Sequence, residues 1–339
     1  MFCLTCVGVT KSRGQPQFNV LDFKAVGDGH TDDTQVFKDA WAATCGCETG
    51  RPRMIIPARR TFLVLPTVFD GPCKSTSVSV QLQGTIVAPD TLDTWNDKDA
   101  SEWLRFDSVR GLTFAGSRLI DGRGHNWWAK SCKRNKNQGL RFDQCNDTVV
   151  SGVSFVNGPQ MHLTIYRSGN VNVTSVHVTS PATSPNTDGI HVQASWHVHI
   201  QESVIGTGDD CISIGDDVYD IVIEHIKCGP GHGISVGSLG KEGSEVSVEE
   251  IHVSHVEMFD TTNGARIKTW QGGKGSASRI SFEHINLTNV HNPIIIDQYY
   301  CDSPKTCEAQ ADAVHISDVT FAHFTYGDLD ESDCRDPQL

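Results

Sequence analysis

Positive charge is scarce in this sequence. Its 339 residues carry 28 Lys and Arg against 41 Asp and Glu, a net charge of −13. That balance excludes a nucleic-acid partner held by bulk charge. Long apolar runs are also missing. No segment reaches the roughly 18–20 residues of a membrane span, so no membrane partner is expected. Charged residues of both signs make up only 20% and hydrophobic ones 38%, a mixture that excludes general disorder. There is no CxxC…CxxC zinc pair, no HExxH and no GxSxG elbow. No metal and no other cofactor is expected. Methionine is rare, at four, while glycine reaches 31, which leans towards a turn-rich β protein.

Twelve cysteines are many for a reduced cytosolic protein. Three N-x-[ST] sequons, at Asn146, Asn172 and Asn286, suit the same oxidising, secreted setting. The stretch Met1–Val9 is apolar but short and lacks a basic flank, so residues 1–17 read as an incomplete leader.

From about residue 110 a block of apolar residues recurs, broken by a polar corner. It includes Val171/Val173/Val176/Val178, Val198/Ile200/Ile205, Ile221/Ile223/Ile226 and Val246/Val248/Ile251/Val253. Taking Val171, Val198, Ile221 and Val246 as anchors gives spacings of 27, 23 and 25 residues, a solenoid period. Alternation of period 2 means short strands. A second column aligns TDGIHV (187–192), DDCISI (209–214) and GHGISV (231–236), with GARIKT and HNPIII joining loosely. The expected fold is all-β, a single-domain right-handed parallel β-helix over residues 18–325. Near the N-terminus, Val36, Phe37, Ala40, Trp41 and Ala43 share one helical face, with Thr31, Asp32 or Asp33 as cap. This short helix is expected to close the open end of the solenoid. Residues 326–339 are acidic and lack the repeat.

The second column carries the candidate chemistry. Asp188, Asp210 and His232 each stand two residues before an aligned Ile, so parallel rungs would stack them. Asp209 is adjacent, and Arg266 and Lys268 point to one face of a further rung. Clustered carboxylates raise one another's pKa, leaving one as acid and another as base, the equipment of glycoside hydrolysis. The two cations would meet an anionic substrate. Strict alternation would turn the Asp column inward, so a bend at strand entry must turn it out. Weaker candidates remain. His197 and His199 read as a solvated pair lacking a third metal ligand. Gly122-Arg-Gly124 resembles part of a phosphate loop but no helix pattern follows it. Trp127 and Trp128 either stack on sugar rings or cover a rung.

These residues resemble the polygalacturonases, glycoside hydrolases that cut pectin, and especially those of plants. The likeness spans roughly residues 18–325 and rests on SPNTDGI (184–190), GDDC (208–211), GHG (231–233), RIK (266–268) and the tyrosine of DQYYC (297–301). The resemblance implies inverting hydrolysis of α-1,4 bonds in homogalacturonan. The sequence does not decide between endo and exo cleavage, with endo preferred, and a secreted monomer of the cell wall is expected. By the same resemblance Asp209 is the general acid, and Asp188 and Asp210 hold and activate water. His232 tunes the acid. Asn186, Arg266, Lys268 and Tyr300 bind substrate, with Tyr299 as the rival for the last place. Cys211–Cys228 and Cys301–Cys307 are the disulfides it implies.

The chain departs from that pattern in the shortened stretch after Cys132, in its leader, and in its last residues, where further coils are the family's habit. Two other readings compete with hydrolysis. One is a calcium-dependent pectate lyase on the same fold, which needs a carboxylate cage. The other is an inactive pectin-binding form with an exposed last rung. Rhamnogalacturonan hydrolysis is disfavoured by RIK and by the asparagine of NTD.

Overall fold

The computed structural model describes residues 15–91, 102–129, 138–302 and 307–327. Met1–Val9, Cys132 and all but the start of the 326–339 segment lie outside the described residues. The chain coils into a right-handed parallel β-helix. Nine parallel strands form one face: Thr67–Asp70, Glu102–Asp107, Gln138–Asp143, Leu163–Tyr166, Ile190–Gln193, Ile212–Ile214, Ile234–Leu239, Asn263–Trp270 and Asn292–Tyr300. The rest of each coil runs through a second, larger sheet, also paired in parallel. No helix among the described residues is long and apolar enough to cross a membrane.

Alternation along each strand sends every second side chain into the axis, where like residues stack on successive rungs. Ile190, Ile212 and Ile234 are partners in register and wholly buried. Each such side chain contributes roughly 1.5–3 kcal/mol of burial. In the second sheet the long strands bend where one residue adopts a left-handed conformation. One corner is built by Asp220, Glu250, Arg279 and Asp318, and another by His225, His255, His284 and His323, all with φ between 50° and 58°. These are the polar corners that interrupt the apolar pattern, and a single left-handed residue suffices to turn the chain.

The register corrects one anchor. Ile221 pairs with Ile251, not with Val246, and Ile251 then pairs with Ile280. Val246 belongs to the first arm of the strand Glu245–Phe259, ahead of the corner at Glu250. The coil following Ile221 is therefore 30 residues long, because the turn Lys241–Gly243 and an extended strand entry are inserted there.

The helix Thr34–Cys45 forms as expected and buries Phe37, Ala40, Trp41, Thr44 and Cys45, with Val36 and Ala43 only half covered. Trp41 packs edge-on against Phe69 and Phe106, and Phe37 against Phe62, so the helix covers the apolar end of the first coils. Asp33 stands at the cap position, but its carboxylate accepts from the backbone of Val26 and Gly27; Asp32 instead accepts from the Thr34 N–H at 2.9 Å. A Cys45–Cys73 disulfide, unforeseen from sequence, fastens the helix to the loop after Thr67–Asp70. Cys211–Cys228 and Cys301–Cys307 pair as the resemblance implies.

A one-turn helix, His125–Trp128, does follow Gly122-Arg-Gly124, contrary to the expectation from sequence. Both glycines are there for space: a Cβ at Gly124 would stand 2.4 Å from the Gly158 carbonyl oxygen, and one at Gly122 2.7 Å from that of Asn157. Trp127 is buried and Trp128 donates to the Gly158 carbonyl, so this pair covers a rung. At the other end of the described solenoid, Ile294 and Ile296 on Asn292–Tyr300 are 43% and 50% exposed.

Candidate active site

The nine-stranded face carries an open cleft of about 650 Å³, and all eight residues singled out above line it. Asp188 and Asp210 reach it as the sequence required. The strands begin only at Ile190 and Ile212, so the residues before them lie in a bend that frees the carboxylates from inward alternation. Asp188 accepts from the Ser213 hydroxyl at 2.6 Å. One oxygen of Asp210 accepts from Ser235 at 2.7 Å and from Arg266 at 2.8 Å, and the other from Lys268 at 2.9 Å. Asp209 stands nearer the opening. It accepts from His232 Nδ1 at 2.9 Å and from Asn186 Nδ2 at 3.4 Å. Asn186 reaches across from a left-handed backbone, φ 54°.

Tyr300 and not Tyr299 belongs to the cleft. Tyr299 is 76% exposed, whereas the Tyr300 ring lies 5.4 Å from Lys268 Nζ and packs edge-on against Trp270. Burial pushes the Tyr300 hydroxyl up to about 12.

Repulsion among the carboxylates does not raise Asp209. Burial alone would raise it, but the hydrogen bond and charge of His232, with Lys268 behind, outweigh burial and hold it below the ordinary carboxylate value. The same bond raises His232 above the ordinary imidazole value. The repulsion falls on Asp188 instead. Burial first, then the charges of Asp209 and Asp210, push its carboxyl up to about 8. Asp188 therefore favours its protonated form, while the lowering of Asp209 and the raising of His232 both favour the carboxylate–imidazolium form of that pair.

Sequence reasoning missed a column next to the one it found. His191, Ser213, Ser235 and Arg266 are register partners on four successive rungs, each one position after a buried residue; His191, Ser213 and Arg266 line the cleft floor and Ser235 is buried beneath it. His191 meets Ser213 at 2.8 Å and is kept neutral by burial, which lowers it to about 4. Behind the floor, His162 holds the backbone carbonyl of Asp188 and the Ser180 hydroxyl, and burial lowers it to about 4 as well. Asn263, the rung partner after His232, donates to the His232 carbonyl. His197 and His199 stay away from the cleft, paired with Asp220 and Glu224 on the next rung.

Oxygen and nitrogen atoms of Asp209, Asp210 and His232 lie within 4.8 Å of one another, close enough to share a cation. The donor set fits calcium poorly, because Asp210 already holds Arg266 and Lys268 on its two oxygens and His232 offers nitrogen to an ion that favours oxygen.

The family model described as glycosyl hydrolases family 28 matches residues 45–332. A probable polygalacturonase of Arabidopsis thaliana is 42% identical over 321 residues, 93% of this chain and 72% of the relative. A polygalacturonase of Persea americana is 42% identical over 322 residues, 93% of this chain and 69% of its own. In fold, the chain is similar to an endo-xylogalacturonan hydrolase from Aspergillus tubingensis, with TM-score 0.78, 24% identity and coverage of 94% and 86% of the two chains. It is also similar to a polygalacturonase from Erwinia carotovora, with TM-score 0.74, 20% identity and coverage of 94% and 95%. A β-helix with three carboxylates, a histidine and two cations in one cleft, matched by that family model over most of its length, belongs to glycosyl hydrolase family 28.

Proposed function

We propose that this chain hydrolyses α-1,4-galacturonosyl bonds of homogalacturonan. The observation that carries the reading is the pairing of Arg266 and Lys268 with Asp210 beside the Asp209–His232 pair, which puts acid, base and anion-binding groups in one open cleft. The names of the curated relatives support the same substrate.

Asp209 protonates the glycosidic oxygen as the bond to the anomeric carbon breaks. His232, bonded to the same carboxyl, resupplies the proton. Asp210 takes a proton from water, which attacks the anomeric carbon from the opposite face and inverts it; Asp188, protonated, orients that water. The closeness of Asp209 and Asp210 is nearer the spacing of retaining pairs. The donors Ser235, Arg266 and Lys268 fix the Asp210 carboxylate in place, and the attacking water stands between it and the anomeric carbon. Arg266 and Lys268 bind the galacturonate carboxylate, Asn186 orients the sugar beside the acid, and Tyr300 offers a ring face. Sequons and disulfides support a secreted protein of the cell wall.

The test is polygalacturonate digestion with a chelator present. Hydrolysis releases reducing ends with no ultraviolet-absorbing unsaturated product. Activity that dies with chelator and yields such a product would establish the lyase instead.

A further inference from the structure

Away from the cleft, on the corner between two arms of the second sheet, four histidines occupy the same position on four successive rungs. The pairings Ile226–Val256, Val256–Ile285 and Ile285–Phe324 place His225, His255, His284 and His323 side by side. Their rings are stacked, with centroids 5.1, 4.9 and 4.6 Å apart and planes within 21° of parallel. All four are exposed. They line a groove of about 530 Å³ together with Lys227, Glu257, Asn286 and Thr325.

The corner itself does not call for histidine. It needs a residue that tolerates left-handed backbone, and the equivalent positions on three earlier rungs hold Gly152, Ser175 and Glu202. Nor are the rings used up by neighbours. His225 is 3.8 Å from Glu224 and His255 is 3.2 Å from the Ser254 hydroxyl. Among the described residues His284 and His323 have no hydrogen-bond partner. The ladder thus lines one groove with four imidazole rings, and Glu257, which bonds Lys227 at 3.1 Å, lines the same groove.

We propose that this ladder is a binding site for a borderline divalent transition cation of the zinc, nickel and copper class, one ion for each pair of adjacent rings and two at most. Imidazole is the side chain such ions prefer. Two metal–nitrogen bonds of about 2.0–2.1 Å bring their nitrogens to roughly 3 Å. Stacked rings about 5 Å apart reach that by tilting their free edges together, which their exposure at the corner allows. The site stands apart from the cleft and is independent of the reaction proposed there.

The test is calorimetric titration of the full chain, free of N-glycan because the Asn286 sequon lines the groove, with zinc sulfate at mildly alkaline pH. Melting temperature is followed in parallel, since an ion bound only by the folded state raises it. Saturable binding of one or two ions and a raised Tm are expected. The double variant His255→Asn/His284→Asn, in which asparagine keeps the left-handed corner, should lose at least about tenfold in affinity, or 1.4 kcal/mol. If it does not fold, His284→Asn alone should reduce the stoichiometry to one. His232→Ala should bind zinc as the wild type does. No heat and no Tm shift in the wild type would overturn the proposal, leaving the rings as a stacked corner only. So would affinity unchanged by the ladder substitutions, or affinity lost in His232→Ala, which would put the ion in the cleft.

Discussion

Asp188→Asn should slow hydrolysis and yet make the protein more stable, and the gain should grow with pH. In the folded protein the Asp188 carboxyl keeps its proton to about pH 8, against 3.8 for the ordinary group. Between those values the folded state binds more protons than the unfolded one, so stability is lost as pH rises through the window. Every tenfold difference in proton affinity is worth about 1.4 kcal/mol, so the whole window amounts to about 6 kcal/mol, of which about 5 falls between pH 4 and pH 8. Asparagine has nearly the same shape, can still accept from Ser213, and carries no charge to be forced into a buried site beside two other carboxylates. At about 2.1 cal/mol/K per residue, a chain this long unfolds with an entropy near 0.7 kcal/mol/K. The Tm advantage of the variant should therefore widen by about 7 °C between pH 4 and pH 8. Differential scanning calorimetry of both proteins across that range measures it. An advantage that stays flat with pH would refute the placement of the proton on Asp188.

Other outcomes follow from the same arrangement. Lys268→Ala should weaken binding of unesterified pectin more than of methyl-esterified pectin, because it removes a charge-assisted contact worth roughly 1.5–3 kcal/mol; equal loss in KM on both substrates would make Lys268 purely structural. His232→Ala should lower kcat and move the alkaline limb of the pH–rate profile downward, since the hydrogen bond that raises His232 lets the pair hold its proton to higher pH. An unmoved alkaline limb would remove His232 from the proton supply.

Much of this site was legible because a β-helix converts sequence register into a vertical stack. Two residues before each aligned Ile is enough to bring Asp188, Asp210 and His232 together. The column of His191, Ser213, Ser235 and Arg266 was equally readable, one residue after each buried position, but serine carries no chemical signal by itself. Val246 misled because period 2 continues through both arms of Glu245–Phe259, while the corner at Glu250 that fixes the register looks like any polar residue. The histidine ladder was hidden by uneven loops, its members lying 30, 29 and 39 residues apart. Charge states were out of reach, since the distribution of protons over three carboxylates depends on burial and on which one His232 touches.

The mechanism rests on Asp209 as the acid of a pectin hydrolase, and one comparison tests it most directly: reducing ends released from polygalacturonate by the wild type and by Asp209→Asn, with matched folding and measured substrate affinity. The wild type should release them steadily, while the variant binds substrate but turns over at least about a hundredfold more slowly, the usual worth of a general acid. A variant that keeps most of its kcat, or a wild type inert on polygalacturonate, would contradict that mechanism.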